Sequence, residues 1–411
     1  MIVELLLYGF SLIFAVYMIR HLIFVTCVAL RRKVNDDFQG HAGFFLPTVT
    51  IIVSAKNEER VISRLLSRIT HFTYPKEKLT VIVVDDNSTD ATGWIADEFA
   101  RLHPQFSAIH RVGGGHGKIS CLNAALPSAT GDLIVIFDAD YLPQLDLIEK
   151  LACYFIDPQV AISQGRVTVL NEQQSLVTRL VTLERTSGYV IDQVARDNLD
   201  LTPQYAGTVA AIRTAFLHDT GGWDESILAE DTDLTLKAVS TGWKVRYTTV
   251  AESYEEAVST WRAYRKQRRR WAYGHTQCAL KYFVPVLTSC NMNLKQKMDA
   301  FLMMGVYMVP VFVGLGLLLT TVINASPISQ IFIVVEVFLI FGSVGNFAPF
   351  FEVVFAMRVD GRKMHPTDLV LLAVSFLFNV FISTDALVSL LKDKLLGKRF
   401  IWVPTVHTGS V

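Results

Sequence analysis

The segment LTVIVVDDNSTDATGWIADEFARLH (79–103) reads as a strand that runs through a polar turn into a helix. Its first six residues form a near-continuous apolar run rich in Val and Ile, the pattern of a strand covered on both faces. Asp85 and Asp86 end that run, Asn87 or Ser88 can cap the helix beyond, and Asp90 falls near its first turn. The same grammar recurs on both sides. TVTIIVS (48–54), DLIVIFDAD (132–140) and VAISQGRVTV (160–169) are further strands, and NEERVISRLLSRITHF (57–72) is a further amphipathic helix. Strand then helix, repeated, predicts an α/β fold with a mainly parallel sheet in one domain over 44–260.

Outside that domain the texture changes. The 411 residues are 51% hydrophobic and only 18% charged, which excludes a purely soluble enzyme. Lys plus Arg equals Asp plus Glu at 38 each, so no bulk basicity argues for nucleic acid and no acidic excess argues for disorder. Five scattered cysteines, with no CxxC or His/Cys spacing, read as free thiols in a reducing compartment. Residues 2–30 are apolar enough to span a bilayer, interrupted by Arg20 and His21. Glu4 stands where a signal peptide needs a basic region, and Arg31, Arg32 and Lys33 place the downstream side in the cytoplasm. Three more apolar stretches lie near 298–323, 328–357 and 367–391. The division expected is an N-terminal transmembrane helix (1–33), the cytoplasmic α/β domain (44–260), amphipathic interface helices (261–297) and a C-terminal transmembrane region (298–411). A full crossing by 367–391 would put Lys392, Lys394, Lys398 and Arg399 outside, against the positive-inside rule, so this stretch either is interfacial or re-entrant or breaks the rule. Glu336 and Asp385 sit inside apolar stretches, where a charge needs a cavity or a headgroup.

Three carboxylate clusters carry the chemistry: Asp85–Asp86, Asp138–Asp140 and Glu230–Asp231. The first two end strands, where open α/β sheets bind ligands. Like charges about 4 Å apart repel by about 4 kcal/mol at an effective dielectric near 20. Such a cluster calls for a cation, and hard oxygen ligands beside phosphate suit Mg2+ or Mn2+. Aspartates at strand ends are also common caps, and Asp231–Asp233 repeats the D-x-D spacing cheaply; Asp138–Asp140 stands out because it ends the apolar run LIVIFD. The glycine-rich RVGGGHGKIS (111–120) lets backbone approach a phosphate with Lys118 nearby, but fits neither the Walker A nor the dinucleotide spacing. YRKQRRRWAYG (264–274) packs five cations beside Trp271 and Tyr273, so an anion is expected close by: phospholipid, nucleic acid or a diphosphate.

VSAKNEE (53–59), VVDDNSTD (83–90), GKISCLNAAL (117–126), IFDAD (136–140), QGRV (164–167), AGTVAAIR (206–213), GGWDESILAEDTDL (221–234) and QRRRW (267–271) follow one another in an order that resembles the membrane-bound processive glycosyltransferases of family two. That family includes synthases of cellulose, chitin oligosaccharides, hyaluronan and poly-N-acetylglucosamine. The resemblance implies a GT-A type nucleotide-sugar domain, in which Asp85 binds nucleotide, Glu58 lines the base pocket and Lys118 approaches the diphosphate. It implies that Asp138 and Asp140 hold metal and UDP, and that Asp231, beside Glu230, is the general base. Gln267, Arg270 and Trp271 would hold the diphosphate and the acceptor sugar, and the tail FIWVPT (400–405) resembles a gating loop with Trp402 and Thr405 as contacts.

The expectation is an inverting transfer from a UDP-sugar to a growing polysaccharide, exported through the chain's own spans in the plasma (inner) membrane, with a cytoplasmic site, no nucleic acid partner and possible export subunits. A glycolipid synthase with a lipid-linked acceptor is the nearest alternative. A polytopic transporter or receptor with a nucleotide sensor is an alternative of another class.

Overall fold

The computed structural model describes residues 2–30, 45–113, 117–324, 349–397 and 409. Strands β1 (Val49–Ala55), β2 (Leu79–Asp85), β3 (Phe106–His110), β4 (Leu133–Asp138), β5 (Leu142–Pro143), β6 (Val160–Val169), β7 (Ala210–Arg213) and β8 (Lys244–Glu255) form one sheet, ordered β3-β2-β1-β4-β7-β6-β8-β5. The pairs β2–β3, β1–β2, β1–β4 and β6–β8 are parallel, while β7 runs antiparallel to β4 and β6, and β5 to β8. Strand order reverses between β1 and β4, which opens a crevice at their carboxyl ends. Ser54 pairs with Asp138 and Ala55 with Asp85, so the three strand ends are level there.

The continuous apolar runs are explained by burial on both faces. Ile51, Val53, Val81, Val83, Val135 and Phe137 point to one side, against Leu65, Leu66 and Leu147. Ile52, Ile82, Val84, Ile134 and Ile136 point to the other, against Leu122, Phe216 and Leu236. Alternate residues thus serve two cores, each buried side chain contributing about 1.5–3 kcal/mol of transfer free energy. All four expected strands are present. The turn before helix Thr92–Leu102 differs from expectation. Asn87 adopts φ 57°, Ser88 Oγ accepts from the Asn57 N–H, and the helix start is served by Asp90, which accepts from Thr92 N at 3.0 Å and Oγ1 at 2.6 Å. The short side chain two residues closer to the helix than Ser88 wins because it reaches the orphan N–H directly.

Six helices matter below: α1 (Ile2–Leu30), α2 (Glu230–Ser240), α3 (Trp261–Thr288), α4 (Leu294–Gly305), α5 (Val309–Asn324) and α6 (Pro366–Leu396). By length and composition α1 and α6 can each cross a membrane; α4 and α5 pass only together and bend by 66° between them. The apolar stretch near 298–323 is therefore divided between two helices. Pro310 lacks the N–H needed to continue α4, and the chain turns at 306–308 before α5 begins. Most of 328–357, including Glu336, lies outside the described residues; a helix occupies 349–359.

Arg20 and His21, which interrupt the first apolar stretch, are answered by carboxylates of the α/β unit, of α4 and of the helix at 349–359. Arg20 Nη2 donates to Asp192 at 2.8 Å and its Nε lies 3.6 Å from Asp299; His21 pairs with Glu352. Phe24 and Cys27 of α1 pack with Val190, Ile191 and Ala195. Two of the cations of α3 are likewise answered by protein carboxylates: Arg268 pairs with Glu184 and Arg269 lies 2.6 Å from Asp385. Asp385 thus meets an arginine rather than lipid.

Candidate active site

A cavity of about 460 Å³ opens at the carboxyl ends of β1 and β4. Glu58, Lys118, Asp138, Asp140, Glu230, Asp231, Gln267, Arg270 and Trp271 all line it, so residues scattered over more than 200 positions converge on one space. Asp85 does not. The alternation of β2 turns it to the Val83 face, where it accepts from Ser88 N at 3.0 Å and lies 3.2 Å from His110 Nδ1. Its neighbour Asp86 faces the cavity instead, 2.9 Å from Arg111 and 3.7 Å from Lys56. Trp402 and Thr405 lie outside the described residues.

Lys118 is the hub of the carboxylate cluster at the strand ends. Its ammonium lies 2.5 Å from Asp138, 3.9 Å from Glu230, and donates to the Gly207 carbonyl at 2.8 Å. Burial works against that ammonium, but the Asp138 and Glu230 carboxylates outweigh it and hold its pKa above the ordinary lysine value. Gly207 must be glycine. Its φ is 80°, and a Cβ there would stand 3.3 Å from Glu230 Oε1. Gln164, fully buried, fixes that loop: its Nε2 donates to the Gly165 and Thr208 carbonyls and its Oε1 accepts from Ala206 N. The QGRV and AGTV motifs therefore act together to place one carbonyl on Lys118.

Glu230 and Asp231 occupy the first turn of α2. Burial pushes the Glu230 carboxyl up to about 7, with Lys118 pulling it down and Asp231 pushing it further up. Asp231 Oδ1 accepts from Thr232 N at 2.6 Å, which orients the carboxylate beside the cavity. Asp233 turns away, buried and 2.5 Å from Lys281, so the D-x-D spacing of 231–233 is structural. Asp140 Oδ2 accepts from Glu256 N at 3.2 Å, and Glu255 beside it holds Arg185 at 2.6 Å and the Tyr141 hydroxyl at 2.8 Å.

α3 presents Gln267, Arg270, Trp271 and His275 as one stripe at i, i+3, i+4 and i+8. Two guanidinium groups lie over the Trp271 ring, that of Arg268 at 4.2 Å and that of Arg185 at 5.2 Å. α3 can approach α2 because residue 274 is glycine: a Cβ there would sit 2.7 Å from Ala229 N.

The cavity continues past Asp231 to groups the sequence reading did not single out. Gly188–Asp192 forms a π-helical turn, a feature frequent at functional sites, and Tyr189, Asp192 and Gln193 line this inner end. Arg196 lines it too, 3.2 Å from Asp299. Val306 and Tyr307, at the break between α4 and α5, close it. The His275 and Tyr307 rings lie tilted against each other with centroids 5.0 Å apart; burial holds the His275 pKa below the ordinary histidine value, which favours the neutral ring, and its Nδ1 has no hydrogen-bond partner among the described residues. His275 was legible as the next member of the 267–271 stripe. Tyr307 and Asp192 had no sequence signal, since only folding brings them here.

Among the described residues, three potential metal ligands within mutual reach occur at His21, Asp192 and Glu352, away from the D-x-D; there Arg20, His21 and Ser187 already hold the carboxylates. Asp138 and Asp140 offer two carboxylates, which fits a divalent cation completed by phosphate oxygens.

Residues 47–274, more than half of the chain, match the family described as Glycosyltransferase like family 2. The chain is 34% identical over 245 residues to a probable glycosyltransferase, YdaM, of Bacillus subtilis, covering 58% of this chain and 57% of that protein. It is 33% identical over 256 residues to a beta-monoglucosyldiacylglycerol synthase of Synechocystis, covering 62% and 53%, so it spans little more than half the length of these two relatives. A second beta-monoglucosyldiacylglycerol synthase, from Trichormus variabilis, is 29% identical over 393 residues, covering 92% of this chain and 80% of that protein. In fold, the chain is similar to a mannosyltransferase of Pyrobaculum calidifontis in complex with GDP-Man and Mn2+, with a TM-score of 0.61 at 20% identity over 95% of this chain and 99% of that one.

Proposed function

The chain belongs to the Glycosyltransferase like family 2, and from that premise we propose that it transfers a hexose, with inversion, from a UDP-sugar to the hydroxyl of a membrane lipid. The observation that carries the lipid acceptor is the reach of the cavity. It runs from Lys118 and Asp138 past Asp231 to Val306 and Tyr307, where α5, with exposed Leu315, Leu317 and Leu318, begins. An acceptor can stay in the bilayer while its hydroxyl reaches the base. The beta-monoglucosyldiacylglycerol synthases among its relatives support this reading over a growing polysaccharide. Charge supports an uncharged head: at the inner end Asp192 is matched by Arg20 and Arg196 by Asp299, leaving His275 and Tyr307 to hydrogen-bond.

In this reading Asp231 takes the acceptor proton while the acceptor oxygen attacks the anomeric carbon from the face opposite the diphosphate. The bond to the diphosphate breaks and UDP departs with the electron pair. Lys118 and Arg270 neutralise that departing charge. Asp138 and Asp140 would hold Mg2+ or Mn2+, which would supply further positive charge to the diphosphate. Glu58, Lys56 and Asp86 line the end of the cavity suited to the nucleotide. The site faces the cytoplasm by the positive-inside argument, in a chain anchored through α1 and α5.

The test is the purified chain in vesicles containing dioleoylglycerol, given labelled UDP-glucose, other UDP-sugars and GDP-mannose in turn with Mg2+ or Mn2+. Short, solvent-extractable product is expected from a UDP-sugar. Long water-soluble polymer would overturn the lipid acceptor, and nucleotide binding without transfer would favour a sensor.

A further inference from the structure

We propose that α6 does not cross the bilayer but lies flat against its surface beneath the α/β unit, with one apolar face seated in the lipid leaflet. At 31 residues the helix is about 46 Å long and by hydropathy alone qualifies as a span. Its partners argue otherwise. Near its start, Asp368 accepts from Arg179 of helix Leu176–Ser187 at 2.6 and 2.9 Å. Leu372 and Ile382 pack with Val177, Val181 and Tyr264 of the α/β unit and α3. Near its end, Asp385 lies 2.6 Å from Arg269, Ser389 accepts from Arg269 at 2.8 Å, and Asp393 accepts from the Tyr273 hydroxyl at 3.2 Å.

From Asp368 to Asp393 the helix rises about 37 Å, more than the hydrocarbon core of about 30 Å. A crossing helix touches a domain on one side of the membrane at one end only. α6 touches the α/β unit near its start and, near its end, α3, which is itself packed on that unit at Gly274. The flanking chain agrees: Asp360, before α6, pairs with Arg166 at 2.6 Å, and Gly409, after it, donates to Glu256 at 3.2 Å at the cavity.

The opposite face identifies the occupant as lipid. Val370, Leu377, Phe381, Leu391 and Leu395 are exposed, and at 100° per residue they fall on one stripe facing away from Asp368, Ile382 and Asp393. At the stripe's edge, Phe376 packs in one cluster with Phe14 of α1 and Val313 of α5, and Val380 Cγ1 stands 3.0 Å from where a Gly314 Cβ would be. The stripe is therefore continuous with the helices that enter the bilayer. Lys392 and Lys394, exposed at the end, can reach headgroups. This placement keeps the basic residues after α6 on the cytoplasmic side and removes the conflict with the positive-inside rule. It also ties α3 to the membrane surface through Arg269 and Asp385, which sets the depth at which Trp271 and His275 meet an acceptor.

The test is side-specific labelling with a membrane-impermeant maleimide in sealed inverted vesicles, read by peptide mapping. Lys363→Cys, before α6, and Lys394→Cys, at its end, should both label from the face that labels Val112→Cys, which is 98% exposed on the α/β unit. Protection of Lys394→Cys there, with labelling from the other face, would overturn the proposal. All three positions are exposed, so folding is not at stake. Nitroxides at Val370, Leu377 and Leu391 then separate a flat helix from a re-entrant one. Equal depths within about 10 Å of the headgroup boundary are expected, and a probe at Leu377 reaching the bilayer centre would overturn it.

Discussion

The two ends of the cavity are built by different means. The end proposed to take the donor is a set of strand termini and one helix start, where Asp86, Lys118, Asp138 and Glu230 crowd charge into a small volume. The end proposed to take the acceptor is built from helix faces, a π-helical turn and the break between α4 and α5, and its charges are matched in pairs behind the surface. In the proposed reading, crowded carboxylates suit a divalent cation that would neutralise the incoming diphosphate. Paired charge with neutral hydrogen-bonding groups suits a hydroxyl.

The sharpest way to break this contrast is Asp231→Asn, which sits where the ends meet. Transfer should fall by about 100- to 10,000-fold, the usual worth of a positioned base, while UDP binding measured by calorimetry stays within twofold. Retained transfer would move the base elsewhere. Next is Gly274→Ala, which forces a Cβ against Ala229 and pushes α3 off the start of α2. Overpacking should cost about 1–3 kcal/mol by denaturant melt, with a drop in kcat larger than any change in UDP affinity. An unchanged kcat would show that the two ends need no fixed spacing. His275→Asn probes the acceptor end alone. Loss of one hydrogen bond, worth about 0.5–1.5 kcal/mol, should raise the lipid KM by about two- to tenfold and leave the UDP-sugar KM unaltered; the reverse pattern would assign His275 to the donor.

The smallest effect concerns the donor end's support. His110 is held between Asp97 at 2.9 Å and Asp85 at 3.2 Å, and these hydrogen bonds raise its pKa. A raised folded pKa stabilises the fold fully below the unfolded value of about 6.5, and the gain is lost as pH climbs through the folded one. The Tm advantage of the native chain over His110→Gln should therefore shrink on going from acidic to mildly alkaline pH. A constant difference would mean that the imidazole acts by packing alone.

Much of the donor end was legible because strand ends announce themselves. An apolar run that stops at Asp138 places that carboxylate at the sheet edge before any contact is known. Asp85 shows the limit: adjacent residues leave a strand on opposite faces, and which of Asp85 and Asp86 faces ligand depends on which side the cavity lies. β7 and β8 escaped notice since a four-residue strand and a strand alternating polar residues lack the continuous signal of β1, β2 and β4. Tyr307, Asp192 and Arg196 were invisible because their role comes from distant partners.

The sequence by itself determined the α/β sheet, the order of its motifs, the stripe of α3 and the presence of membrane-seeking helices, all of which follow from periodicity and local charge. Tertiary structure decided what those helices do. Hydropathy records how much a helix gains by leaving water and says nothing of direction, so α1 and α6 look alike in the sequence. Only the ion pairs at both ends of α6 separate a helix that lies beneath the catalytic unit from one that runs away from it.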